Sequence, residues 1–149
     1  CLVSSAKREG MRIISIVMGT ATERARNDGS QALLNYGFTF YETKLIYQAQ
    51  KKISDIRIWK SQKEVTELGI AEDLYLTIPR RRSDEIELIK EIPSLFTGNV
   101  EKGQEIGQLK VTLDEKIIAT LPLEALAENP YGSLWQRLRD TIQLWFENE

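Results

Sequence analysis

The sequence predicts a mainly β protein: a small antiparallel β-sandwich domain, preceded by a β-hairpin with one helix and followed by a C-terminal amphipathic helix. Three observations carry this expectation. Residues 41–127 fall into short alternating apolar and polar runs broken by turns, two β-rich runs open the chain, and from Ser133 onward the apolar residues recur at helical spacing.

Leu2-Val-Ser-Ser-Ala6 and Met11-Arg-Ile-Ile-Ser-Ile-Val-Met18 are separated by Lys7-Arg-Glu-Gly10, which predicts a hairpin. The second run is apolar on both sides, with Ile14, Ile16 and Met18 on one and Met11, Ile13 and Val17 on the other. Such a strand belongs in the middle of a covered sheet, and two strands cannot supply that cover. The opening region is therefore expected to be the end of a larger domain. Thr20-Ala-Thr-Glu23 fits a capping box, so a helix is expected from Thr20 to about Tyr36, weakened by Asn27-Asp-Gly-Ser30 and stopped by Gly37. Further on, Ile56 and Ile58 alternate with Arg57 and Trp59, Leu74, Leu76 and Ile78 with Tyr75 and Thr77, and Leu109, Val111 and Leu113 with Gln108, Lys110 and Thr112. Asp114-Glu-Lys116 turns the chain into Ile117-Ile-Ala-Thr-Leu121, and six to eight strands of a sandwich or barrel are expected in all.

After the turn signal Asn129-Pro130-Tyr131-Gly132, a helix is expected with two unlike faces. Leu134, Trp135, Leu138, Ile142, Trp145 and Phe146 gather on one side, and Gln136, Asp140, Gln143 and Glu147 on the other. The apolar side has two possible hosts, the protein's own body or a membrane interface; the helix is too short to span a bilayer. Asp140, Glu147 and Glu149 outweigh Arg137 and Arg139, so attraction to anionic lipid is expected to be weak.

Composition narrows the chemistry. At 149 residues, 42% hydrophobic and 28% charged, the chain is ordinary globular material. Its net charge of −2 lacks the basic footprint of a nucleic-acid binder, and Pro79-Arg-Arg-Arg82 is expected to be a solvated turn. Histidine is absent, which removes the usual zinc ligand and any Ser-His or Cys-His nucleophile pair. The carboxylate pairs Glu72/Asp73 and Asp84/Glu85 are neighbours in turns and are expected to face solvent, and no spacing suggests a metal or cofactor. Cys1 stands where methionine would start a primary product, so a processed or cut chain is expected, with Cys1 itself a buried small residue.

Several stretches taken together resemble a known family. Cys1-Leu-Val-Ser-Ser-Ala-Lys-Arg-Glu-Gly-Met-Arg-Ile-Ile-Ser-Ile-Val-Met-Gly19, Ser30-Gln-Ala-Leu-Leu-Asn-Tyr-Gly-Phe-Thr-Phe-Tyr-Glu42 and Leu68-Gly-Ile-Ala-Glu-Asp-Leu-Tyr-Leu-Thr-Ile-Pro-Arg80 resemble the C-terminal half of bacterial D-alanyl-D-alanine carboxypeptidases of the penicillin-binding protein 5 and 6 type, as do Lys102-Gly-Gln-Glu-Ile-Gly107 and Leu121-Pro-Leu123. The resemblance implies three parts: residues 1–40 as the end of an α/β penicillin-binding catalytic domain, 41–128 as the family's β-sandwich, and 129–149 as a membrane-anchoring helix.

The same resemblance implies a serine-type peptidase that removes the terminal D-alanine of peptidoglycan pentapeptides at the periplasmic face of the inner membrane. Its Ser-x-x-Lys, Ser-x-Asn and Lys-Thr-Gly motifs are expected upstream of Cys1 and missing from these residues, leaving no catalytic residue here and a chain inactive by itself. By the resemblance, Arg26 aligns with an arginine that helps hold the substrate's terminal carboxylate, a task suited to a guanidinium's fork of donors; a plain surface arginine near Glu23 is the alternative. The expected partners are the inner-membrane lipid surface and, through the catalytic half, the pentapeptide, with no nucleic acid, metal or cofactor. The rival expectation is a stand-alone membrane-associated β-domain module of the cell envelope.

Overall fold

The computed structural model describes residues 1–147; within the last helix the side chains of Leu144, Phe146 and Glu147 lie outside the description. The chain folds as two compact units, one of Cys1–Ile46 with Tyr75–Glu85 and the other of Tyr47–Leu74 with the described residues from Ile86 onward.

In the first unit, strands β1 (Leu2–Arg8) and β2 (Met11–Val17) pair antiparallel from Leu2 opposite Val17 to Arg8 opposite Met11. Glu9 and Gly10 close the hairpin with φ of 47° and 83°, the left-handed pair whose twist suits a two-residue connection. Helix α1 (Glu23–Phe40) covers one side of this ribbon. Between them three hydroxyls meet: Ser15 Oγ lies 2.8 Å from Ser4 Oγ and 2.7 Å from Ser30 Oγ, and Ser4 and Ser30 are also hydrogen-bonded to each other. On the opposite side Val3, Ile14, Ile16 and Met18 are exposed, so among the described residues only one face of β2 is covered.

Several expectations about this unit need correcting. The helix cap is Thr22, whose hydroxyl accepts the Ala25 N–H at 3.1 Å, while the Thr20 hydroxyl donates to the Thr22 carbonyl. Gly37 does not end α1. A Cβ there would run into the Ile13 side chain, so glycine lets the helix approach β2 closely, and the chain turns extended only at Tyr41. Cys1 is exposed rather than buried.

Strands β3 (Tyr41–Tyr47) and β6 (Leu74–Pro79) form a separate two-stranded sheet, with the Thr43 and Thr77 hydroxyls 2.8 Å apart across it. The arginine run after β6 is more than a solvated turn. The Arg80 guanidinium donates to the Phe38 carbonyl through Nε at 3.3 Å and Nη2 at 3.0 Å, and Arg82 pairs with Glu85.

The second unit is built on β4 (Ser54–Trp59), β5 (Val65–Gly69), β7 (Glu87–Glu91), β8 (Phe96–Thr97), β9 (Glu105–Leu113) and β10 (Lys116–Ala125), in the order β7-β9-β10-β5-β4-β8. All neighbours are antiparallel except β4 and β8. Strand β10 pairs with β9 over most of its length but with β5 only through Glu124 and Ala125, so it joins two three-stranded halves. Leu109, Val111 and Leu123 from one half and Ile56, Ile58 and Leu68 from the other are buried, as inward positions of a two-layer β domain should be. Asp114 and Glu115, with φ of 53° and 61°, make the tight β9–β10 turn, and Lys116, expected within it, already opens β10.

Candidate functional site

Beyond β10 the chain returns along the turn between β4 and β5. Val100 and Asn129 exchange backbone hydrogen bonds at 2.9 and 2.8 Å, Gln62 N–H donates to the Pro130 carbonyl at 2.7 Å, and Gly132 N–H donates to the Lys60 carbonyl at 2.9 Å. The buried Asn129 side chain ties this strap to the turn: its Oδ1 accepts the Lys63 N–H at 2.9 Å, and its Nδ2 donates to Lys63 O at 2.7 Å and Thr66 Oγ1 at 2.9 Å. The motif that signalled a turn before the helix is thus a bonded segment that leads into it.

That helix is α2 (Leu134–Glu147). A capping box starts it. The Gln136 N–H donates to Ser133 Oγ at 3.4 Å, and Gln136 Oε1 accepts the Ser133 N–H at 2.9 Å, so two of the first turn's unpaired amides find partners. The helix then rests on the second unit at Gln136 and Asp140 of its polar side, while Gln143 of that side is exposed. Asp140, expected on the solvent side, is only 7% exposed, and its Oδ2 accepts the Lys60 N–H at 2.8 Å. Arg139 reaches Glu64 at 3.1 Å, and the Arg137 guanidinium lies 5.4 Å from the centre of the Tyr131 ring.

The apolar side consequently faces outward. Leu134 is 78% exposed, Trp135 81%, Leu138 54%, Ile142 52% and Trp145 74%; the side chain of Phe146, the sixth residue expected in this stripe, lies outside the described ones. Among the described residues, these five side chains of the stripe are left exposed rather than packed into the core of the second unit. No helix among the described residues is long and apolar enough to cross a membrane.

Arg26 lies half-buried in the first turns of α1, and its side chain makes no hydrogen bond or ion pair with another described residue. One expectation about catalytic motifs needs correcting, because Ser4-Ser5-Ala6-Lys7 does carry the letters of Ser-x-x-Lys. It lies in β1, where residues three apart point to opposite faces: Ser4 joins Ser15 and Ser30, and Lys7 is exposed. This occurrence brings no amine to its serine.

The family described as penicillin-binding protein 5, C-terminal domain, matches residues 41–130, from the start of β3 into the strap before α2. The chain belongs to this family. Curated relatives extend the likeness in both directions. The D-alanyl-D-alanine carboxypeptidase DacA of Escherichia coli K12 is 34% identical over 99% of this chain, and DacF of Bacillus subtilis is 27% identical over 97% of it. The crystal structure of penicillin binding protein 5 from Haemophilus influenzae matches with a TM-score of 0.77 and 34% identity, over 87% of this chain and 38% of that one. The chain thus spans 37% of the E. coli relative and 38% of the B. subtilis one.

Two features that shape the site escaped the sequence analysis. Asp140 was indistinguishable from a solvated acid, because the helical pattern assigns a face without saying which face is docked. The Ser133–Gln136 box was legible in its spacing and would have fixed the start of α2.

Proposed function

We propose that this chain works as the C-terminal portion of a serine-type D-alanyl-D-alanine carboxypeptidase that trims peptidoglycan pentapeptides. Its own contribution is to hold the enzyme at the periplasmic face of the inner membrane, while the nucleophile belongs to another part of the protein. Membership in the penicillin-binding protein 5 family supports the reaction class. The engagement of half-buried Ser4 with two other hydroxyls, in a strand that turns Lys7 to the opposite face, supports a portion without its own nucleophile.

The observation that carries the membrane role is the outward apolar stripe of α2, docked by its polar side. A helix held by the domain this way has its apolar side chains left for a bilayer interface, where each contributes roughly 1.5–3 kcal/mol on full burial. Co-sedimentation with phospholipid vesicles tests this. The intact chain should pellet with vesicles, and a chain lacking residues 133–149 should stay in the supernatant; equal partition of both overturns the proposal.

Arg26 is proposed to help hold the substrate's terminal carboxylate. Its free guanidinium supports that role, since no described partner occupies its donors. In the complete enzyme, Arg26→Ala should raise KM for a pentapeptide. Unchanged turnover and KM would remove Arg26 from the site.

A further inference from the structure

One residue of the turn between β4 and β5 is held from both sides by the segment leading into and along α2. Lys60 has a φ of 62°, in the left-handed region that a non-glycine residue adopts only at a cost. Its carbonyl accepts the Gly132 N–H at 2.9 Å, just before the helix, and its N–H donates to Asp140 Oδ2 at 2.8 Å, in the middle of the helix. Gly132 has no side chain because a Cβ there would lie 2.7 Å from the Ser61 carbonyl oxygen. Both ends of one peptide-bonded residue thus fix where α2 begins and how it is rolled about its axis.

The roll matters more than the attachment. An amphipathic helix on a free tether lies on a bilayer whatever the attached domain does, whereas a helix clamped at Asp140 carries its domain into one orientation. We propose that Asp140 is a positioning residue for membrane docking: by accepting the Lys60 N–H it locks the polar side of α2 onto the domain, so that the second unit meets a phospholipid bilayer in a single pose. This rests on the membrane role proposed above for α2.

The occupant is a bilayer surface that need not be anionic. Within Leu134–Glu147 the charges of Arg137 and Arg139 cancel those of Asp140 and Glu147, and Arg139 is already paired with Glu64. The exposed Tyr131, beside Arg137, extends the aromatic set of Trp135 and Trp145 toward the domain, giving rings suited to the headgroup boundary.

Amide NMR on the full chain tests the proposal, with Asp140→Ala and the conservative Asp140→Asn, whose side-chain oxygen still accepts an N–H. In solution, exchange of the Lys60 amide should accelerate at least about tenfold in Asp140→Ala, the worth of one hydrogen bond to a charged group, and distinctly less in Asp140→Asn, which keeps a neutral acceptor in place. On phosphatidylcholine bicelles doped with a gadolinium lipid, the wild type and Asp140→Asn should lose amide signals both in α2 and in a fixed patch that includes Gln62 and Tyr131. Asp140→Ala should still bind but lose signals in α2 alone. An unchanged Lys60 exchange rate and an unchanged broadened patch in Asp140→Ala overturn the latch. A wild type that ignores bicelles, or pairs into dimers through α2, overturns the membrane role instead, and the Lys60 exchange rate separates the two failures.

Discussion

Replacing Asn129 by alanine should destabilise the second unit more than any loss of side-chain volume explains. Asn129 is buried, and its amide serves four partners: the Lys63 N–H, the Lys63 carbonyl, the Thr66 hydroxyl and the Ser61 hydroxyl at 3.2 Å. Ser61 Oγ keeps its bonds to the Ile58 and Lys63 carbonyls at 2.8 and 2.7 Å, so it loses little. The Lys63 amide and the Thr66 hydroxyl keep no other hydrogen bond among the described residues. Leaving two such groups unsatisfied costs about 1–3 kcal/mol each, and about 3 kcal/mol in total is expected once water reaches the Lys63 side. For a domain of this size that lowers Tm by about 12–24 °C. Asn129→Asp keeps the volume but sets a carboxylate oxygen against the Lys63 carbonyl, so it should melt at least as low at neutral pH. Thermal unfolding followed by circular dichroism measures both. An alanine variant within about 3 °C of the wild type, or an aspartate variant as stable as the wild type, would refute this account of the strap.

Two further outcomes rest on close contacts in the second unit. At Gly107 in β9 a Cβ would lie 2.5 Å from the Glu91 carbonyl oxygen and 3.4 Å from Ile92 Cα, and backbone cannot swing aside as a side chain does; Gly107→Ala should cost about 2–3 kcal/mol, read as a lower urea midpoint with an unchanged slope. Lys52 Nζ lies 2.7 Å from an Asp55 carboxylate oxygen, and this hydrogen bond, then the ammonium charge, holds Asp55 below the usual carboxylate range, while the same bond raises Lys52. Because the folded pKa of Asp55 is depressed, its stabilising share is complete above the unfolded value of about 3.9 and lost as pH falls through the folded one. The Lys52 share is complete below about 10.4 and lost as pH rises through its raised value. In Lys52→Met, a carboxyl NMR titration should show Asp55 returning toward its ordinary midpoint, and an unmoved midpoint would contradict the pairing.

The hairpin, the alternating strands and the two-residue turn at Asp114-Glu115 were legible because each depends on neighbours within a few residues. The end of α1 was not. Gly37 carries the letter of a helix stop, but it was selected by the nearness of Ile13 across the sequence, and no local pattern records that contact. Thr20 and Glu23 have capping-box spacing, yet α1 starts at Glu23 itself, so Thr22 takes the cap. The strand order around β10 depends on long-range pairing and bulges, which periodicity leaves open. For the candidate site, the sequence marked which side of α2 is apolar, while the direction it faces was decided by Asp140, Asn129 and the Lys60 turn.

Among the described residues one side of the opening hairpin is exposed, and in the isolated chain that side is a source of pelleting separate from the one proposed for α2. Val3, Ile14, Ile16 and Met18 form an apolar patch on the first unit, whereas the stripe of α2 belongs to the second. Molecules clumping through that patch would spin down with or without lipid and mask the lipid-dependent pelleting proposed for α2. Ile14→Thr with Ile16→Thr keeps branched side chains that favour strands while making the ribbon wettable. In that background, any remaining stickiness can be traced to α2.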